Sequence, residues 1–210
     1  MKTLILLLVL VGSIFGTTIN ESLLKVHATL VPKISLMDYK FKEKIKNNTI
    51  TIAIMYKNNE YKDAKSLKKK IDTRYKNGIK SFKVSSKLVP YSDIAKTEAN
   101  IYYIFPAEVS TIKKVVKQAN KNSALTFSYL KEDLKHGVMI SLNVSKKIEP
   151  ILNLSAIKTH NITFRPVLID ISIIYNETSL LDKLKSKNMN MSYIFLVKLD
   201  FIRNNSQGIA

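Results

Sequence analysis

The sequence predicts an α/β fold: a mostly parallel central sheet flanked by helices, closed by a C-terminal β-hairpin and two short helical segments. Three observations predict it. Short apolar runs such as Thr49 to Tyr56 (TITIAIMY) and Ala99 to Phe105 (ANIYYIF) are apolar on both faces, as strands buried on both sides are. Amphipathic stretches of helical period separate these runs, and that alternation belongs to parallel sheets covered by helices. Beyond Gly137 the period shifts to two, which marks an antiparallel addition.

Taken in order, Leu4 to Val11 (LILLLVLV) follow the positive Lys2 and precede the small residues Gly12, Ser13, Gly16 and Thr17. The run is about half of what a membrane-spanning helix needs, so residues 1–17 are expected to be a cleaved secretory signal directing the chain to the periplasm. Leu23, Leu24, His27, Leu30 and Val31 recur at helical spacing up to Pro32, which ends or kinks that helix. After the first strand, Ala64, Leu67, Ile71 and Tyr75 mark an amphipathic helix stopped at Asn77-Gly78. Phe82, Val84 and Leu88 form a second strand region ended by Pro90. Following Ala99 to Phe105, Val109, Ile112, Val115, Val116 and Ala119 give a second amphipathic helix, and Leu125 and Phe127 a short fourth strand.

Val138, Ile140, Leu142 and Val144 alternate with Met139, Ser141 and Asn143, which predicts a strand with one wet face. Lys146-Lys147 turns the chain and Ile148 to Leu152 returns as the hairpin partner. Asn153 is expected to cap the helix Leu154 to His160, and Asn161 to close it in the left-handed conformation. A last apolar segment, Pro166 to Tyr175, is expected to pack on the core. The organisation is therefore a leader (1–17), one α/β domain (18–175) and a C-terminal tail (176–210). That tail is polar around a single apolar stretch, Tyr193 to Val197, too short to span a bilayer.

Composition argues against several chemistries. The chain has no cysteine, so thiol catalysis, cysteine metal sites and disulfides are excluded. The three histidines, His27, His136 and His160, are far apart, and no pair has the spacing of a helical zinc site. His27 falls on an apolar helix face and reads as a core histidine. Downstream of the leader only Gly78, Gly137 and Gly208 are available, too few to cradle a phosphate. No cofactor, metal or enzymatic activity is expected. The net charge of +18 would ordinarily suggest nucleic acid, but the lysines are spread from Lys25 to Lys198 in an Asn- and Ile-rich chain. An exported protein also rarely meets nucleic acid. The densest stretch, Lys62 to Lys70, reads as a solvated helix face, leaving at most peripheral contact with anionic lipid.

The stretch from His136 to Tyr175 resembles the C-terminal half of the YfiR-like family of periplasmic signalling proteins, with Gly137, Asn153, Ala156, Ile162 and Leu168 matching its layout. In that layout a glycine precedes an apolar strand, and a second strand ends in Asn before a short helix. A final apolar helix follows. The upstream segments, with YYIFPAE at 102–108, fit the family's order more loosely. The resemblance implies a regulatory binding protein that acts on the periplasmic domain of a membrane sensor, by family precedent as a repressor of a diguanylate cyclase. It also implies a homodimer. A small-solute receptor feeding a sensor or an uptake system is the alternative, though a chain of this length has residues for only one lobe.

In parallel sheets, ligands and partners bind beyond the carboxyl ends of the strands. Here those ends supply Tyr56, Asn58 and Asn59, then Phe105, Pro106 and Glu108, then Ser128 and Tyr129 as candidate contact residues. Tyr56 and Phe105 also read as plain core. Gly137, Asn153 and Asn161 are expected to be structural.

Overall fold

The computed structural model describes residues 19–160 and 162–175. The leader 1–17, Asn161 and the tail 176–210 lie outside the described residues. Seven strands form one sheet in the order β2-β1-β3-β4-β5-β6-β7: β1 (Thr49–Tyr56), β2 (Lys83–Pro90), β3 (Ile101–Ile104), β4 (Leu125–Ser128), β5 (Ile140–Val144), β6 (Ile148–Asn153) and β7 (Ile173–Tyr175). Strands β1 to β5 run parallel, β6 turns back antiparallel to β5, and β7 runs parallel to β6. The chain is thus α/β, with the hairpin β5–β6 closing a parallel sheet.

Alternation along the central strands divides the core in two. Ile50, Ile52 and Ile54 of β1 share one face with Ile101 and Tyr103 of β3, and α1 (Glu21–Ser35) and α2 (Tyr61–Arg74) cover it with Leu24, Ala28, Val31, Ala64, Leu67 and Ile71. Ala53, Met55, Tyr102 and Ile104 point the other way, under Ile112, Val115 and Ala119 of α3 (Val109–Lys121). A buried Ile or Leu side chain contributes about 1.5–3 kcal/mol by leaving water, so both layers are needed to hold so short a sheet. The free edge, β2, carries exposed Lys83 and Lys87 and ends at Pro90, features that discourage pairing with another sheet.

One expectation narrows and another needs correction. Of the two readings of Pro32, ending is excluded: α1 runs on through it to Ser35, whose hydroxyl donates to the Pro32 carbonyl at 2.9 Å. The predicted wet face of β5 is buried at two of its three positions: Met139 and Ser141 are as inaccessible as Val138 and Ile140, while Asn143 is half-buried. Ser141 meets that burial by donating to the Ser128 carbonyl at 3.1 Å. The segment Pro166 to Tyr175 does pack on the core, through Leu168 and Ile169 with Ile174 and Tyr175 against it. It divides into the short helix α5 (Pro166–Asp170) and the edge strand β7, and only Leu168 and Ile169 are fully buried.

Turn chemistry fixes where α2 hands over to β2. Gly78 has φ +78°, and its N–H donates to Tyr75 O at 2.8 Å. A Cβ at this position would sit 2.3 Å from the Phe82 carbonyl oxygen. Gly78→Ala combines a disfavoured φ with a backbone clash and is expected to destabilise the protein by about 2–3 kcal/mol. Urea denaturation checks this, and an unchanged midpoint would show that the turn re-forms without strain.

Candidate functional site

The strand order sets the site. From β1 the chain passes through α2 to β2 on one side, then crosses back to β3 on the other. Connections leaving β1 and β3 therefore diverge, and a crevice opens between their carboxyl ends, the topological switch point of a doubly wound sheet. Phe105 N donates to Met55 O at 3.1 Å, the last backbone bond between the two strands before they part.

On the β1 side, Tyr56 is half-buried against Tyr61, with ring centroids 5.5 Å apart. The 3-10 turn Asn58–Glu60 follows, its two asparagines exposed. Glu60 folds back beneath them: it accepts from Lys57 N–H at 3.2 Å, and Lys57 Nζ lies 3.9 Å from its other oxygen. Burial raises the Glu60 pKa, an effect partly offset by Lys57. On the β3 side, Pro106 is half-buried and Glu108 exposed at the start of α3, where a carboxylate meets the positive end of the helix dipole.

Below this rim lies a floor the sequence did not reveal. Tyr91, following β2, donates its hydroxyl to the Phe105 carbonyl. Its pKa is pushed well up by burial first and then by the nearby carboxylates of Glu60 and Asp133. Asp133 is buried and accepts from the Ser128 hydroxyl, and burial raises its pKa as well. Ser128 Oγ in turn accepts from Leu130 N at 3.1 Å. Glu60 follows β1, Tyr91 follows β2, and Ser128 and Asp133 belong to the end of β4 and the connection that leaves it, so three separate parts of the chain meet here. Isolated polar residues in a sequence give no sign of such convergence.

Two of the predicted contact residues are buried. Phe105 and Tyr129 lie in the core, with rings 6.1 Å apart, and Tyr129 Oη accepts from Asn20 N at 2.9 Å. Tyr56, Asn58, Asn59, Pro106 and Glu108 remain at the rim. None of them lines the cavities of about 380 Å³ at the amino ends of the strands, about 890 Å³ between α1 and α2, or about 370 Å³ beside β7. The rim is a surface of amide, carboxylate and aromatic groups, suited to contact rather than to enclosing a small molecule.

Away from the rim, Asn153 joins three elements. Its Oδ1 accepts from Ala156 N at 3.0 Å, capping α4 (Leu154–Thr159), and its Nδ2 donates to the Leu134 carbonyl at 2.7 Å. Gly137 takes φ +92° as it leaves the 3-10 turn Lys131–His136. His27 is fully buried among Tyr103, Phe127 and Tyr129. Its Nδ1 shares a 2.8 Å hydrogen bond with Tyr103 Oη, while Nε2 has no partner among the described residues. Among those residues no cluster of His, Asp or Glu is arranged to hold a metal ion.

The fold is a doubly wound α/β sheet whose switch point lies between β1 and β3. Residues 35–172 match the model of the YfiR/HmsC-like family, and the chain belongs to that family. Among curated proteins, none matches the chain significantly. Two solved structures share the fold at 12% sequence identity. One is a conserved domain protein of Vibrio cholerae O1 biovar El Tor, with TM-score 0.52 over 73% of this chain and 60% of that one. The other is an ABC domain from Streptococcus pneumonia in complex with L-Trp, with TM-score 0.50 over 72% of this chain and 60% of that one. The chain thus spans about 60% of the length of either structure.

Two outcomes follow from the buried groups. Asn153→Ala removes a helix cap and one of the two donors to the Leu134 carbonyl, the Gly137 N–H remaining at 3.2 Å, so a loss of about 1–2 kcal/mol is expected in denaturation; a loss under 0.5 kcal/mol would contradict this. Desolvation lowers the His27 pKa from 6.5 to about 3, so the unfolded chain binds the extra proton between those values. The stability this histidine contributes is complete above pH 6.5 and is lost as pH falls towards 3, at up to about 1.4 kcal/mol per pH unit. Relative to His27→Leu, the native protein should lose stability more steeply from pH 6.5 to pH 4; parallel curves would place the imidazole in contact with water.

Proposed function

We propose that the chain is a regulatory binding protein of the bacterial envelope, exported to the periplasm, that acts on the periplasmic domain of a membrane-bound sensor. By family precedent that sensor is a diguanylate cyclase, and the effect is repression of cyclic-di-GMP synthesis. The observation that carries this reading is the YfiR/HmsC-like match across residues 35–172. The physical features agree with it. The switch-point rim offers Asn58, Asn59 and Glu108 as exposed hydrogen-bonding groups flanking half-buried Tyr56 and Pro106. Its buried polar floor is satisfied internally, which leaves the rim rigid and pre-organised for a macromolecular partner.

The solute-receptor alternative finds less support: the largest described cavity is an open groove lined by Lys25, Lys33, Lys69, Lys70 and Arg74 rather than an enclosed cleft.

Affinity capture from solubilised membranes, with the mature chain as bait, tests the proposal. Recovery of a sensor with a cytoplasmic cyclase domain is expected. The double variant Asn58→Ala/Glu108→Ala should weaken that complex about tenfold or more while costing the fold no more than about 1 kcal/mol, the loss of the Glu108 carboxylate from the α3 N-terminus. Undiminished capture by the variant would move the contact surface elsewhere on the domain.

A further inference from the structure

The β5–β6 hairpin reaches past its neighbours in the sheet. Strand β4 pairs with β5 at Phe127 and Ile140 and ends at Ser128, while β7 pairs with β6 only from Ile151 on. Among the described residues, 142–150 therefore have strand partners only within the hairpin. Three residues of strand beyond Ser141 give it ~10 Å of reach. Every residue from Val144 to Ile148 (VSKKI) is exposed, and Ser145 N–H closes the turn by donating to the Lys147 carbonyl at 3.1 Å.

This tip carries apolar groups as well as charge. Val144 and Ile148 are cross-strand partners, so their side chains stand on one face. Along that face Ile140, Leu142 and Leu152 enter the core, and beyond it Val144 is left 43% and Ile148 48% exposed. Between the two stand Lys146 and Lys147, neither of which forms an ion pair among the described residues. Glu149, the one carboxylate of the hairpin, is half-buried and accepts from Asn143 Nδ2 at 3.4 Å. Because β5 runs parallel to β4 and so to β1 and β3, the tip stands at the carboxyl end of the sheet. Two more exposed large apolar side chains lie at that end: Tyr61, which opens α2 after β1, and Val109, which opens α3 after β3.

We propose that residues 144–148 dock on the surface of an anionic phospholipid bilayer, with Val144 and Ile148 entering the headgroup layer and Lys146 and Lys147 meeting lipid phosphates. Single exposed apolar side chains are ordinary in a folded protein. An aligned pair on a protruding turn, bracketing two unpaired ammonium groups, suits a membrane interface, where the apolar groups leave water and the charges stay among phosphates. A purely acidic polymer would engage the lysines and leave Val144 and Ile148 in water, whereas an anionic bilayer accommodates both. Docking in this way turns the carboxyl end of the sheet towards the lipid. The inference stands on exposure and charge, and it does not depend on what the switch-point rim binds.

The chain has no tryptophan, so a single introduced one reports its own surroundings. In the mature chain (residues 18–210), Ile148→Trp should show blue-shifted emission with vesicles of phosphatidylcholine and phosphatidylglycerol, and brominated lipid should quench it. Lys121→Trp, by the cavity at the amino ends of the strands, should show neither. Sedimentation with the same vesicles separates the contributions. Val144→Ser/Ile148→Ser and Lys146→Gln/Lys147→Gln should each lower the partition coefficient about tenfold or more, the lysines acting at ~fivefold apiece. Because lysines occur throughout the chain, Lys117→Gln/Lys121→Gln is the matched control; screening of charges remote from the bilayer should hold its effect below about threefold. All six of these side chains are exposed, so the fold should survive each change. An unquenched Ile148→Trp chain overturns the proposal. So do an equal loss from the control pair, equal binding to vesicles of phosphatidylcholine alone, or capture of an acidic protein through Lys146 and Lys147 without any vesicle binding.

Discussion

Neither face of a parallel sheet can be left to water, and most of this structure follows from that constraint. Ile52 and Ile54 need α1 and α2 on one side, while Ala53 and Met55 need α3 on the other. The demand explains why α1 continues through Pro32, since its last turn still covers the sheet with buried Ile34. It also explains the enclosed His27. The helix face that must be apolar carries one imidazole, and the structure accommodates it with Tyr103 on Nδ1 and aromatic rings around it. The cost of that arrangement is a strongly lowered imidazole pKa.

Covering both faces forces the chain to reverse direction around β1, and the reversal produces the candidate site. Connections that leave β1 and β3 on opposite sides of the sheet cannot pack against each other at their start. What fills the gap is polar: Glu60 on the Lys57 amide, Tyr91 on the Phe105 carbonyl, Asp133 on Ser128. A buried carboxyl group is tolerated there because each has a hydrogen-bond partner. The family match places the chain among YfiR/HmsC-like proteins, while the distant solved structures, at 12% identity, speak only to the fold.

Much of the fold was legible because two patterns survive in a single sequence. Continuous apolar runs identified β1 and β3, and helical spacing identified α2 and α3 within a residue or two. Strand β5 was misread on its far side because alternation records polarity and not burial: Ser141 is small enough to enter the core once it finds the Ser128 carbonyl. The division of 166–175 into α5 and β7 was hidden for a different reason, since a strand of three residues has too little length to show a period. The site was half legible. Its rim could be placed from the strand ends, but Phe105 and Tyr129 are equally good core residues, and only the three-dimensional packing separates the two roles. The floor was not legible at all, because Glu60, Tyr91 and Asp133 acquire their meaning from each other.

The claim that the switch-point rim grips a macromolecule is tested most directly by comparing amide exchange of the chain alone with that of its complex recovered from membranes. Slowed exchange confined to residues 57–61 and 106–110 is the predicted footprint. Slowing confined to the amino ends of the strands or to the α1–α2 groove, with the rim unaltered, would contradict it.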